Sequence, residues 1–210
     1  MGFNQYIAEQ FSRPVGLGGR IVAAIMNWQN KAMYEATEKL LAPKAGDVLL
    51  DIGCGNGYML DRLSRYAGVA LWGTDISEDM LDASRRRLKG EQLSLACCSV
   101  DEMPLEDSSI DKACTINTVY FWDDLEKAFG GVYRVIKPGG VFVNTFYTGE
   151  ALGRYPHTRY GYQKYSLSEL SDAAIEAGFS AEMHPIMDDA ARCMVCRKGG
   201  ARRADTPLWL

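Results

Sequence analysis

Histidine is almost missing from this chain: His157 and His184 are the only two in 210 residues. A metal centre built on imidazoles therefore has little material, and none is expected. Nor is there an excess of positive charge. Lys and Arg number 23 against 27 Asp and Glu, a formal net charge of −4. A nucleic-acid surface needs a basic stripe to neutralise phosphates, so nucleic acid is excluded as a partner. The tight cluster Arg85-Arg86-Arg87 with Lys89 closes a helical pattern before Gly90, where cations complement the negative helix end. Long apolar runs are absent as well. No stretch reaches the roughly twenty residues of a membrane span. The first ten residues, with Asn4, Gln5, Glu9 and Gln10, lack the apolar centre of a secretion signal. Tyr6 stands where a myristoylation signal carries Ser or Thr. No membrane association and a cytoplasmic location with reduced thiols are the expectations.

Six cysteines remain to be placed. Cys193 and Cys196 have C-x-x-C spacing but sit in a strand-like run, which sends residues three apart to opposite faces. Cys97 and Cys98 are adjacent in another strand and also diverge. Buried, unreactive thiols are the expected reading for most of them.

What is present is an ordinary globular composition, 47% hydrophobic and 24% charged, long enough for one domain with a full core. Strand-like and helix-like segments alternate, which argues for βαβ units and a mostly parallel sheet. Strands are predicted at 48–52, 70–75, 93–98, 112–117, 141–146, 181–183 and 192–198. Helices are predicted at 58–66, 78–89, from 123 to 136, and from the capping box Ser166-Leu167-Ser168-Glu169 to Gly178. Lys137-Pro138-Gly139-Gly140 reads as a tight turn. Ahead of the sheet, Ile21, Ile25, Trp28, Met33, Ala36 and Leu40 fall near one helical face, after a flexible joint at Gly16, Gly18 and Gly19. Three regions follow: 1–43, a sheet domain over 44–200, and a tail over 201–210. There are no internal repeats, and no signal of oligomeric state.

The most informative segment is Val48-Leu49-Leu50-Asp51-Ile52-Gly53-Cys54-Gly55-Asn56-Gly57. A buried strand runs into an acid and three glycines, and a helical pattern opens at Tyr58. Glycines allow a sharp turn and let a ligand lie against the main chain, at the strand end where open α/β folds bind nucleotides. A dinucleotide fingerprint beginning at Gly53 needs its third glycine at position 58, which is Tyr58; the third glycine is Gly57. The next strand, Ala70-Leu71-Trp72-Gly73-Thr74-Asp75, also ends in an acid, placed to accept hydrogen bonds from a ribose diol, and Ser77 is set to cap the helix that follows.

The pattern Asp51-x-Gly53-x-Gly55-x-Gly57, followed by Asp75-Ile76, resembles the first two motifs of the class I S-adenosylmethionine-dependent methyltransferases. The resemblance extends through Met103-Pro104-Leu105, Ser109-Ile110-Asp111 and Val135-Ile136-Lys137-Pro138-Gly139-Gly140, and covers about Lys44 to Gly178. It implies a Rossmann-like seven-stranded, mostly parallel sheet with helices on both faces, strand order 3-2-1-4-5-7-6, the last strand antiparallel, and an N-terminal helical lid. It implies S-adenosylmethionine as cofactor, with S-adenosylhomocysteine as product. Asp51, Gly53, Cys54, Gly55, Asp75, Ile76, Met80, Ser99, Val100 and Asn117 are the positions the resemblance puts around it, Asp75 on the ribose, Ile76 on adenine and Asn117 at the methionine end. One departure is Ser99, which stands where the family commonly has an acid for the adenine amino group; Val100 offers its backbone there, and Asp101 follows.

The reaction implied is in-line methyl transfer to a small-molecule acceptor. Tyr120, with Phe121 and Trp122, is expected to border the acceptor, although core packing suits Trp122. Asn117-Thr118-Val119-Tyr120 is spaced like the Asn-Pro-Pro-Tyr signature of nitrogen-methylating enzymes, but both prolines are absent and that specificity is not carried over. Tyr120 and His157 are the candidate catalytic residues; Phe11, Tyr120, Arg159 and Tyr160 are candidates for the acceptor, and Asn27 and Asn30 for the lid. Two alternatives are a non-catalytic S-adenosylmethionine-binding regulatory subunit and, against the glycine spacing, a nucleotide-dependent oxidoreductase.

Overall fold

A computed structural model describes residues 29–88 and 93–200. The expectations placed on Phe11, Asn27, the glycine joint and the tail from 201 lie outside the described residues.

The sheet has seven strands: β1 Val48–Ile52, β2 Ala70–Asp75, β3 Leu93–Cys97, β4 Ile110–Ile116, β5 Ile136–Tyr147, β6 Phe179–Ile186 and β7 Ala191–Lys198. Their order is β3-β2-β1-β4-β5-β7-β6. The first five run parallel, and β7 lies antiparallel to both of its neighbours. Order and polarity agree with the resemblance. The sheet reverses direction of growth between β1 and β4, which leaves a crevice at their carboxyl ends.

Period-two alternation sorts the apolar side chains into two layers. Leu50, Ala113, Phe142, Phe146, Met194 and Cys196 share one layer with helices α4 (Leu125–Val135) and α6 (Leu167–Glu176). Leu49, Cys114, Val143, Cys193 and Val195 share the other with α1 (Lys31–Leu41), α2 (Tyr58–Leu63) and α3 (Glu78–Arg87). Cys193 and Cys196 thus face opposite layers, as the strand alternation demands. A short helix, α5 Gly149–Gly153, follows β5. The capping box at Ser166 forms in full, its side chain and that of Glu169 each taking the other's backbone N–H.

Two elements differ from the sequence reading. The 58–66 helix stops at Leu63, and Tyr66 turns instead to Glu38, donating its hydroxyl at 2.9 Å. The stretch Lys137-Pro138-Gly139-Gly140 is not a turn between helix and strand. Ile136 already pairs with Ile110, and the two-glycine stretch is an irregularity inside β5 before Val141 pairs with Lys112. Gly139 has φ +84, and a Cβ at Gly140 would stand 2.7 Å from the Asp111 carbonyl oxygen, so both positions demand glycine.

Helix α1 is a fixed wall of the sheet domain, packed on β4, β5 and β7. Its buried stripe is Met33, Thr37 and Leu41, spaced four apart. Thr37 is the polar member that a hydrophobic stripe alone overlooks. Its hydroxyl bonds the Met33 carbonyl at 2.7 Å and meets the Thr145 hydroxyl of β5 at 2.7 Å; Thr145 in turn reaches Cys193 Sγ at 3.3 Å. Thr37→Val should lower unfolding stability by about 1–2 kcal/mol, because it leaves the buried Thr145 hydroxyl short of a partner. Urea unfolding measures it; an unchanged midpoint would show that the ladder does not hold α1 down.

Candidate active site

The crevice at the carboxyl ends of β1, β2 and β4 is a cavity of about 380 Å³. Its floor is the loop Gly53–Gly57. All three glycines have left-handed backbone, φ +69, +52 and +75, but each for its own reason. A Cβ at Gly53 would strike Thr118 Cγ2 at 2.3 Å, and one at Gly57 would strike Ser84 Oγ at 2.3 Å. At Gly55 a Cβ would meet no protein atom within 4 Å. Gly55 lines the cavity, so its missing side chain leaves space for a ligand.

The loop is fastened from β2. Cys54 N donates to Thr74 O at 2.9 Å, and Gly55 N donates to Asp75 Oδ2 at 2.8 Å. The other Asp75 oxygen accepts the Ser77 amide at 2.9 Å, at the start of α3, where Ser77 occupies the N-cap position. A carboxylate has about four acceptor sites, so Asp75 keeps capacity for hydroxyl donors in the cavity. Beside it Ile76 is 47% exposed, a large apolar surface left open on the cavity wall. From the other side, Arg87 Nε donates to the Asn56 carbonyl at 2.8 Å, and its guanidinium lies 5.6 Å from the Tyr58 ring. Tyr58 in turn packs on Tyr34 of α1, ring centroids 4.7 Å apart.

Asp51 lies beneath this loop, 3% exposed, and takes a 3.7 Å contact from Cys114 Sγ. Burial pushes its carboxyl up to about 8, with the Asp75 charge adding to the effect. Burial, with Asp51 behind it, likewise holds the Tyr34 hydroxyl above its usual range.

Of the expected cofactor positions, Gly53, Cys54, Gly55, Asp75, Ile76, Met80, Ser99, Val100 and Asn117 all line the cavity, and Asp51 supports it from below. Asp101, exposed in the loop after β3, lines it too. Asn30, 6% exposed, and Tyr34 enter from α1. Tyr34 was not anticipated, although it follows Asn30 by one helical turn on the same side. Thr118 was also missed; its place becomes evident only from its packing on Gly53. Phe121 and Trp122 line the wall, with Trp122 also packed edge-on against Phe129.

The structure does not bring Tyr120, His157, Arg159 or Tyr160 to this cavity. A 3-10 turn at Val119–Phe121 directs Tyr120 into the core, 4% exposed. There burial holds its hydroxyl well above the usual tyrosine range, and therefore protonated. The segment 154–165 folds down beside the cavity as a strap. Thr158 is buried and bonds Leu152 O at 2.6 Å, Tyr165 donates to Trp122 O at 2.6 Å, and Tyr162 meets Phe121 edge-on at 4.8 Å. His157 sits between the Tyr155 and Tyr162 rings, where burial lowers its affinity for a proton. Arg159 and Tyr160 point outward.

Comparison with known proteins agrees with this geometry. Residues 50–144 match the family described as methyltransferase domain. An uncharacterized methyltransferase of Bacillus subtilis, YdaC, is 35% identical over 132 residues, covering 62% of this chain and 73% of the relative. The chain belongs to the class I S-adenosylmethionine-dependent methyltransferases. A malonyl-[acyl-carrier protein] O-methyltransferase of Serratia marcescens is 32% identical over 142 residues, 66% of this chain. This methyltransferase spans about half the length of such relatives, 51% and 53% in two of them. Among solved structures, a Haloferax volcanii methyltransferase in complex with the Trm112 activator superposes with TM-score 0.79 at 20% identity, covering 95% of this chain and all of that one. A Haemonchus contortus phosphoethanolamine N-methyltransferase, bound to phosphomonomethylethanolamine and S-adenosylhomocysteine, gives 0.74 at 19%, covering 95% and 61%. At those identities the likeness is one of fold.

Two outcomes follow from the loop. Gly55→Asn should fold, because its Cβ meets no protein atom and Asn tolerates the left-handed backbone there, yet lose S-adenosylhomocysteine binding; calorimetry beside circular dichroism reads both, and normal binding by a folded variant would show the loop misassigned. The second concerns Asp51. The folded chain keeps this proton up to about pH 8, whereas the unfolded chain releases it near 3.8, the ordinary value of an aspartate. Raising the pH between those values therefore favours unfolding. The ligand-free protein should lose thermal stability from pH 5 to pH 8, and Asp51→Asn should flatten that slope; an equal slope in both proteins would place the titration elsewhere.

Proposed function

We propose that this enzyme methylates a small-molecule acceptor with S-adenosylmethionine held in the cavity described above, and that it works in the cytoplasm. The observation that carries the cofactor assignment is the hydrogen bond from Gly55 N to Asp75. In phosphate-binding loops such amides face the anion; here the amide is given to a carboxylate, and a second acid, Asp51, lies beneath the loop. Asp51 keeps its proton up to about pH 8, so the charge at the loop is that of Asp75, which suits a cationic nucleoside and disfavours the pyrophosphate of a dinucleotide. That argues against the oxidoreductase alternative. The exposed Ile76 face suits an adenine ring, with Ser99, Val100 and Asp101 around its edge, and Asn30, Asn117 and Thr118 suit the methionine end.

When bound, the cofactor supplies a methyl group already activated by its sulfonium, so the chain's work is alignment and exclusion of water. Phe121 and Trp122 wall the cavity against solvent, and Tyr34 with the Tyr58–Arg87 stack fixes the loop. Tyr120, protonated and turned into the core, is not a base in this reading. The strap supplies acceptor recognition. It carries two of the large apolar side chains that are exposed among the described residues, Tyr155 and Tyr160, next to Arg154 and Arg159. Tyrosine faces hold a flat or cationic group, and Arg159 a carboxylate or phosphate on the same molecule. All six cysteines are thiols, not disulfides, which fits a reducing compartment.

Incubation with isotope-labelled S-adenosylmethionine and a metabolite extract, followed by mass spectrometry, identifies the acceptor. No labelled product, despite tight cofactor binding, would favour the regulatory-subunit alternative. Asp75→Ala should weaken S-adenosylhomocysteine by about 1.5–3 kcal/mol, and less for the 2′-deoxy analogue; equal losses would remove Asp75 from the diol. With the acceptor known, Arg159→Ala and Tyr160→Ala should each slow methyl transfer roughly ten-fold at unchanged cofactor affinity. Unaltered turnover in both would reduce the strap to a structural connection.

A further inference from the structure

Asn117 is the first residue past β4, and it is held in an unusual way. Its φ is +59, in the left-handed region that Asn tolerates better than most residues, and its amide donates to Thr145 O at 2.9 Å. Asn117 lines the cavity. Asn117 Oδ1 accepts the Tyr120 hydroxyl at 2.9 Å, and Asn117 Nδ2 faces Met33 Sδ at 3.5 Å. Which way round the carboxamide sits is decided by Tyr120. The Tyr120 oxygen accepts the Tyr147 backbone N–H, and of the two acceptors within reach of its single hydrogen, Asn117 Oδ1 at 2.9 Å is much closer than the Tyr147 carbonyl at 3.5 Å. The amide N–H₂ of Asn117 is thereby turned away from Tyr120 as a donor. Sulfur is a weak acceptor, so the contact with Met33 leaves that donor free to exchange to a stronger partner.

The same tyrosine is tied to the strap. Its carbonyl accepts the Gln163 amide at 2.9 Å, and its ring lies 5.5 Å from that of Tyr162. One buried residue therefore touches β5 through its hydroxyl on Tyr147, the strap through its carbonyl on Gln163 and its ring on Tyr162, and the cavity wall through Asn117.

Resting on the cofactor placement proposed above, we infer that Tyr120 is a positioning residue: its hydroxyl orients the Asn117 carboxamide toward the amino-acid end of the cofactor, and its ring and carbonyl register the strap against that end. Tyr120 touches no ligand itself. Its effect is confined to the part of the ligand that Asn117 reaches, and it passes through Asn117.

Two ligands separate this from a general loss of structure. S-adenosylhomocysteine has the amino-acid end and 5′-methylthioadenosine lacks it. Tyr120→Phe keeps the ring and removes the hydroxyl. In calorimetry it should weaken S-adenosylhomocysteine five- to twenty-fold and change methylthioadenosine less than two-fold. In an Asn117→Ala background the same substitution should produce no further loss of S-adenosylhomocysteine affinity. Equal weakening of both ligands, no weakening of either, or a full additional loss in the Asn117→Ala background would each overturn the inference. Should Tyr120→Phe not fold, ¹⁵N-labelled wild-type protein provides the test. The Asn117 side-chain amide pair, assigned through Asn117→Asp, should shift with S-adenosylhomocysteine and stay fixed with methylthioadenosine; a pair that responds to neither, or equally to both, also overturns it. Wild-type protein that binds neither ligand would instead sink the cofactor reading itself, a result distinct from all of these.

Discussion

The carboxylate of Asp75 closing on the Gly55 amide organises everything around it. The bond joins the ends of two adjacent parallel strands, β1 and β2, at 2.8 Å, on one flank of the crevice that opens where the sheet changes its direction of growth. It fixes the glycine loop over the end of β1, where Gly53 lies against Thr118 and Gly57 against Ser84 with no room for a side chain at either. Gly55 is then the one of the three whose missing side chain leaves open space in the cavity. The same bond consumes the donor that a phosphate would need. Binding preference and loop geometry are in this way a single constraint.

A second set of polar contacts makes the site a closed structure on its other side. Helix α1 is held by the Thr37–Thr145–Cys193 ladder among the apolar side chains of its layer. Hydrogen bonds in such a layer gain strength from the low dielectric and are directional, so they fix the rotation and height of the helix more tightly than Met33 and Leu41 alone. Height and rotation matter because Asn30 and Tyr34 stand at the end of α1 that reaches the cavity. Asn30 Oδ1 takes the Tyr147 hydroxyl at 3.1 Å, and Tyr34 lies on Tyr58. Two tyrosines, the buried Tyr120 and the half-buried Tyr147, thus each hold one asparagine of the cavity wall.

How far the sequence discloses this depends on whether a feature is local. The strand that ends in Asp51 and the turn after it were legible because a glycine requirement and an apolar strand are both written in consecutive residues. Asp75 was legible from the strand that precedes it. The Lys137-Pro138-Gly139-Gly140 stretch misled for the same reason: its residues have turn chemistry, and only pairing with Ile110 and close approach to Asp111 O show that they bend a strand. Tyr120 was placed at the acceptor because it follows Asn117 by three positions, yet the 3-10 turn rotates it into the core. A sequence gives spacing along the chain, whereas the direction of a side chain in an irregular turn is set by what packs on it, here Tyr147 and Tyr162.

The strap shows the opposite balance from the cofactor side. Its inner residues, Thr158, Tyr162 and Tyr165, are bonded or packed against the domain, while Tyr155, Arg159 and Tyr160 face outward with little to constrain them. The cofactor half of the site is specified largely by backbone amides and by glycines whose replacement collides with neighbouring atoms. Exchange of an outward side chain on the strap creates no cavity and breaks no buried bond, so its cost in stability stays within about 0.5 kcal/mol. The outward face of the strap can therefore change at little cost to the fold, whereas the loop cannot. The match with the family over residues 50–144 includes every glycine of the loop and stops short of the strap.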